Sequence, residues 1–477
     1  IGIGAPYNRV KRYLGKTRKE AIEIVIQELE SYKDNFDWPD WKNNYTPTTF
    51  IEDGLRRNNR DCRISSFRTD LEFKWSKSIL TNSIPQFEKL ALLWLDHFSV
   101  AFDEYGQSHS FVRHLEFIRR NTIGNFDKFL KESIRDPGII VYLNNEQSTT
   151  QKPNENLARE FLELFSLGEG NYSENEIKNF AKKLPGHSIN FVSQDFQYYK
   201  YKESGQTLSA FGKKFDSPNE FIDLAVNHPA FGEFIAKKFY NEYVKLGEPN
   251  SDDIAILVTT FKKNNFNIIK LFEATISLKS FWNKQNQLTL IKSPIELIYG
   301  TARTLGVEAW KNQKNISWLV FLTKDFGQDL FNPPNIAGWP TGKQWLAGQF
   351  LEKRMSRLQN HFSKPTISIN SNSQINKEAK GLLSKVSSKY KDELDLFYKN
   401  LVDNQLAVET IVINWIPKDF ETRKWADINV GFYGVKLNGK FWNGINLRFG
   451  TDINSKKKWK NLNRIEIRHG SSYPPLF

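Results

Sequence analysis

The chain has 477 residues and a formal charge of +13, with 39% hydrophobic and 25% charged residues, a composition within the range of folded proteins. Its 37 Phe and 13 Trp exclude a disordered chain, since disordered segments are poor in aromatics. The single cysteine, Cys62, excludes an internal disulfide, a Cys-based zinc site and a Cys-ligated iron–sulfur cluster.

In chain order, Glu20–Ser31 places Ile22, Ile26 and Leu29 on one face, the spacing of an amphipathic helix. Gln86–Phe102 is apolar on most sides and predicts a buried helix. Its densest stretch, Leu90–Leu95, is broken by Asp96 and His97, so no run approaches the roughly 20 residues that cross a bilayer. Ser108–Asn121 and Asn125–Arg135 continue the helical pattern, the second ending at Asp136-Pro137-Gly138, because proline disfavours a helical residue before it. Asn156–Phe165 predicts a helix stopped by Gly168. Ser173 with Glu176 forms a capping box opening a helix to about Lys183. Ser188–Phe215 reads as an extended excursion or short hairpin, segments 217–240 and 251–283 as helix, and Ser293-Pro294 as a cap followed by a first-turn proline.

The predicted fold is mainly α: a large multi-helix body with a small C-terminal β element, α+β overall. The body covers residues 1–365, an exposed linker 366–376, a further helical segment 377–414, and a basic, aromatic-rich β element 415–477. Within the last, Leu437-Asn438-Gly439-Lys440 carries a strong two-residue hairpin signal. From Phe420 onward eleven Lys/Arg face four acids, so these 58 residues supply +7 of the total charge. Such a surface favours polyanions, and Trp425 and Trp442 among its lysines and arginines suit glycan or single-strand nucleic-acid contact.

Two further groups carry candidate chemistry. Glu155, Arg159 and Glu163 are four apart, and Glu160 lies three before Glu163. The pattern builds either an ion-pair ladder on one helix face or a pair of carboxylates for acid/base work or metal binding. His97 beside Asp96 in an apolar helix is either a core histidine with satisfied hydrogen bonds or a ligand or base. A divalent metal would take Glu160, Glu163 and His97, with His187 as a further donor; no other cofactor is expected. The loop Asn332–Trp345, with three prolines and two glycines, presents Asn335, Trp339 and Trp345 either to a ligand cleft or as a cap on the core. No phosphate-cradling loop, Gly-x-Ser-x-Gly elbow or dinucleotide fingerprint is present.

The run Pro153–Gly168, followed by Gly170-Asn171-Tyr172-Ser173, resembles the hallmark of the bacterial "domain of unknown function 1800" family. Leu93-Trp94-Leu95-Asp96-His97-Phe98, Lys292-Ser293-Pro294-Ile295-Glu296-Leu297 and the Asn332–Trp345 loop are similar to further family motifs and follow in the same order. The resemblance implies a mainly helical fold and export. It also implies a partner of the sulfatase-like "domain of unknown function 1501" family. It assigns no reaction. This chain keeps one His where the family has a Trp-His-Asn-His-Phe-like stretch, and Leu184-Pro185-Gly186-His187 stands where Thr-Gly-Trp is usual. A start at Ile1 and a single Met, Met355, suit a mature exported form. The expectation is a periplasmic or extracellular binding or assembly protein that contacts acidic glycan or another polyanion, with nucleic acid disfavoured. The alternative is a hydrolase acting on polysaccharide.

Overall fold

The computed structural model describes residues 2–4, 7–44, 57–102, 108–286 apart from 192, 289–305, 312–354 apart from 348, 349 and 352, and four short strands beyond residue 412. Among these residues the protein is mainly α with small two-stranded sheets.

Many helices begin where the chain supplies a side-chain acceptor for their first free N–H groups. Thr17 and Glu20 form a full capping box on Arg18–Glu30, and Ser173 and Glu176 form another on Glu174–Ala181. Ser293 and Glu296 exchange backbone–side-chain bonds of 3.1 and 3.2 Å at the start of Pro294–Leu305. The helix expected over Asn125–Arg135 runs only over Phe126–Ser133, and Asp136 caps the next one: its carboxylate accepts from Ile139 N at 2.8 Å at the head of Pro137–Tyr142. The proline that the sequence marks as a stop is therefore also a first-turn start.

Elsewhere boundaries shift. The apolar Gln86–Phe102 stretch is helical only over Pro85–His97; Phe98 leaves the helix, and Phe102 N bonds the Phe331 carbonyl at 2.9 Å. Segment 217–240 is two helices, Pro218–Val226 and Pro229–Tyr243, capped by Ser217 and His228. Segment 251–283 is three, Ser251–Lys263, Ile268–Ser277 and Lys279–Trp282. The helices Arg57–Thr81 and Gln313–Asp325 carry weaker periodicity and add to the body. Ser188–Phe215 folds as two small antiparallel hairpins, His187–Ile189 with Phe196–Tyr198 and Leu208–Ala210 with Lys213–Phe215.

The core is aromatic. Trp94, His97, Phe98, Phe126, Phe129 and Phe165 make mutual ring contacts, with Trp94 and Phe126 stacked at 4.9 Å. Beside it, Arg119 is buried against Asp34 and Glu88 at 2.7 and 3.0 Å and lies over the rings of Phe36, Trp75 and Phe87. Both acids raise the affinity of this guanidinium for its proton, so the pair stays charged inside the body.

Of the C-terminal residues, Ile413–Pro417 pairs antiparallel with Ala426–Val430, and Lys436–Leu437 with Lys440–Phe441. Leu437 lies opposite Lys440, the register an Asn-Gly hairpin requires. The expected linker 366–376, the segment 377–412 and the candidates Trp425 and Trp442 lie outside the described residues. No helix of the described residues is long and apolar enough to cross a membrane.

Candidate functional site

The acidic helix is anchored at its start by Asn154. Its side-chain oxygen accepts from Asn156 N at 2.9 Å, and its amide donates to the carbonyls of Leu143 and Asn144. Arg159, one turn in, donates through two nitrogens to Glu174 at 2.7 and 3.0 Å and to Glu155 at 3.3 Å. Glu163 takes the Tyr172 hydroxyl at 2.8 Å instead of pairing with Arg159. Glu174 and Tyr172 both lie beyond Gly168, so the arginine and the second carboxylate clasp the returning chain. Gly168 has φ +81°, and a Cβ there would meet the Phe234 ring at 2.9 Å.

The helix is regular only over Asn156–Glu160. Phe161–Ser166 widens into a π-helix, with Leu167 N bonding the Leu162 carbonyl at 2.9 Å and the Ser166 hydroxyl bonding the Phe161 carbonyl at 2.7 Å. Such turns recur at functional sites. Here the turn leads to a carbonyl contact: His97 Nε2 lies 3.1 Å from the Phe165 oxygen, so the ring must donate there. His97 is 3% exposed and packs among Trp94, Phe98, Phe126 and Phe165. Burial and the nearby Lys238 hold it well below the usual histidine range, which keeps it neutral. Its Nδ1 has no partner among the described residues.

The neighbouring Asp96 receives the Gly-Trp turn. Its Oδ1 accepts from Trp339 N at 2.8 Å. Gly338 has φ +94°, and a Cβ on it would fall 2.3 Å from that oxygen, so only glycine lets the backbone come this close. Trp339 and Trp345 are buried at 7% and 2% exposure, the first donating its Nε1–H to the Asp329 carbonyl at 3.2 Å. Asn335 is exposed and shapes the turn, its side chain accepting from Ala337 N and its carbonyl from Gly338 N.

A second polar cluster joins the helix Pro85–His97 to Pro229–Tyr243 and Pro294–Leu305 and was not legible from spacing. Lys89, one face of Pro85–His97 with Asp96, bonds Glu242 at 3.0 Å and Glu296 at 2.6 Å. Its ammonium also lies 5.0 Å from the Tyr243 ring centre. Burial pushes Glu242 up, while Lys89 and the Ser293 N–H hold Glu296 below the usual range against its own desolvation. Asp96 is pushed up by burial, with Lys238 opposing.

The sequence candidates are thus separated by role. His97 bonds a helix carbonyl, Arg159 and Glu163 hold the chain after Gly168, and the Glu160 side chain has no hydrogen bond or ion pair among the described residues. Burial, then Glu163, raises the Glu160 carboxyl above its usual range. His187 lies elsewhere, against Phe196 and Tyr198. Among the described residues no group of three or more His, Cys, Asp or Glu is placed to hold a metal ion. His114 and Asp136 form a fully buried pair at 2.9 Å that continues the cap on Pro137–Tyr142.

Fold and site together define a mainly helical protein in which a histidine, a π turn and a Gly-Trp turn lock around one aromatic core. The chain belongs to the family described as "Protein of unknown function (DUF1800)", whose model matches residues 1–424. No curated protein and no solved structure matches the chain.

Proposed function

We propose that the protein is an exported cell-envelope or extracellular component that binds or assembles, and that its basic C-terminal segment contacts acidic glycan or another polyanion. The observation that carries this reading is the excess of +7 charges in the last 58 residues, a concentration that draws polyanions to one end of the chain. The engagement of His97, Arg159 and Glu163 in packing contacts favours a scaffold over a reaction centre. Replacing Lys456, Lys457, Lys458 and Lys460 by Gln in the full chain lowers the salt needed to elute it from heparin resin. Unchanged elution rejects the segment as the polyanion contact.

A second reading is a hydrolase acting on polysaccharide beside a sulfatase-like partner. It is favoured by one observation, the half-buried Glu160 carboxyl, which has no hydrogen bond or ion pair among the described residues and lies next to a π turn. Metal analysis of the purified protein addresses its metal-dependent form: bound stoichiometric metal lost on Glu160→Gln supports it, and its absence leaves only a metal-free carboxylate mechanism.

A further inference from the structure

The first small hairpin ends in a surface that the acidic helix and the basic tail do not explain. Tyr198 closes the second strand, and a tight turn follows over Lys200–Lys202. Tyr201 is 79% exposed and Tyr198 39%. The Tyr199 and Tyr201 rings meet edge to face at 5.8 Å, and the Lys202 ammonium lies 5.0 Å from the Tyr199 ring centre on this same turn. One ring is thus supported by its neighbours and the other is left open.

The turn is held rigidly. Lys183, 1% exposed, donates its ammonium to the Ser204 carbonyl at 2.8 Å. The Thr150 hydroxyl donates to the Lys202 carbonyl at 3.1 Å, and Tyr199 N to the Gly186 carbonyl at 2.8 Å. Gly186 has no room for a side chain, since a Cβ would meet the Tyr198 ring at 2.8 Å. The Tyr198 hydroxyl is held by Glu203. A rigid aromatic surface binds at small entropic cost.

Charge selects the occupant. Lys200 and Lys202 flank Tyr201, and Lys152 is exposed on the turn that carries Thr150, while the single acid of the segment, Glu203, is engaged by Tyr198. We propose that the Tyr199–Lys202 turn is a platform for a sugar unit bearing a carboxylate or sulfate. The apolar C–H face of a pyranose lies on the open Tyr201 ring, and its anionic group takes charge-assisted bonds from Lys200 and Lys202. A single open ring suits one sugar, whereas a single-stranded nucleic acid takes a series of stacked bases. This inference rests on the reading of the protein as a contact for acidic glycan, at a second place on the molecule.

The test uses the full chain and hyaluronan oligosaccharides, with neutral dextran and oligo(dT) as comparison probes. Tyr201→Ala weakens hyaluronan binding by about tenfold, and Tyr201→Trp stays within about threefold of the parent. Lys200→Gln with Lys202→Gln weakens binding and flattens its salt dependence. Tyr201 is exposed, so circular dichroism and the urea midpoint stay at parent values. No parent binding to hyaluronan, or equal affinity of parent and Tyr201→Ala, overturns the platform. Equal binding of dextran removes the charge selection, and a larger Tyr201→Ala effect on oligo(dT) reassigns the site to nucleic acid. Self-association lost on Tyr201→Ala reassigns it to a second copy. The lysines at 456–460 are intact throughout, so failure of the tail on heparin and failure of this turn on hyaluronan are separate results.

Discussion

Gly338→Ala tests the docking of the Gly-Trp turn on Asp96. The substitution forces an alanine to φ +94° and sets its Cβ 2.3 Å from Asp96 Oδ1 and 2.9 Å from the Asp96 carbonyl. Left-handed backbone strain costs roughly 1–2 kcal/mol. Relieving the clash must lengthen the bond from Trp339 N to the carboxylate, and losing a hydrogen bond to a charged group costs a further 1.5–3 kcal/mol, roughly. The expected loss is about 2.5–5 kcal/mol, a large share of a typical folding free energy. Gly170→Ala is the control: it has φ +81°, but nothing lies within 4 Å of its Cβ, so it carries the strain alone at about 1–2 kcal/mol. Urea unfolding followed by tryptophan fluorescence compares the two, since Trp94 and Trp339 are buried. Asp96→Asn, which keeps the acceptor oxygen, costs less than Asp96→Ala. Equal midpoints for Gly338→Ala and Gly170→Ala refute the close approach.

Lys89→Met leaves Glu242 and Glu296 facing each other without their cation; stability falls by about 3 kcal/mol, and Glu242→Gln in the same chain restores part of it. Burial lowers His97 well below the usual range and His187 to about 4, so the unfolded chain takes up protons that the folded one does not. Stability therefore falls below pH 6.5 by about 1.4 kcal/mol per pH unit for each neutral histidine. The raised Asp96 and Glu242 act in the opposite sense at the acid end. A urea midpoint flat from pH 7.5 to 5 contradicts the burial of both rings, and His187→Gln reduces the slope without abolishing it, since burial lowers His109 as well. Glu160→Gln raises the urea midpoint at pH 7, because it removes a half-buried charge that has no hydrogen bond or ion pair among the described residues; a fall instead shows that Glu160 has a stabilising partner.

Local signals carried much of the architecture. Ser173 with Glu176, Gly168 as a stop and Ser293-Pro294 as a start are decided by groups within a few residues, and all three are seen. Leu437 opposite Lys440 follows from the turn chemistry between them. The π turn was not legible, because Phe161–Ser166 has the same apolar spacing that an α-helix would have. Arg159 could be assigned a partner four residues away, and Glu155 is one, but its closer partner Glu174 arrives from the following helix. The meeting of Asp96 with Trp339 joins positions 243 apart, and that of Lys89 with Glu296 joins positions 207 apart. No periodicity encodes such pairs; they exist only once the helices have packed.

The widened turn at Phe161–Ser166 also sets the phase of the chain beyond it. One residue of an α-helix corresponds to about 100° of rotation, so a single deletion inside the turn would swing Leu167 and Gly168 to another side of the bundle. His97 would then face a side chain where it now meets a carbonyl, and Tyr172 would miss Glu163. Length in this segment is therefore constrained more tightly than composition: a conservative exchange there leaves the bundle in step, whereas the loss of one residue puts the clasp and the histidine out of step together.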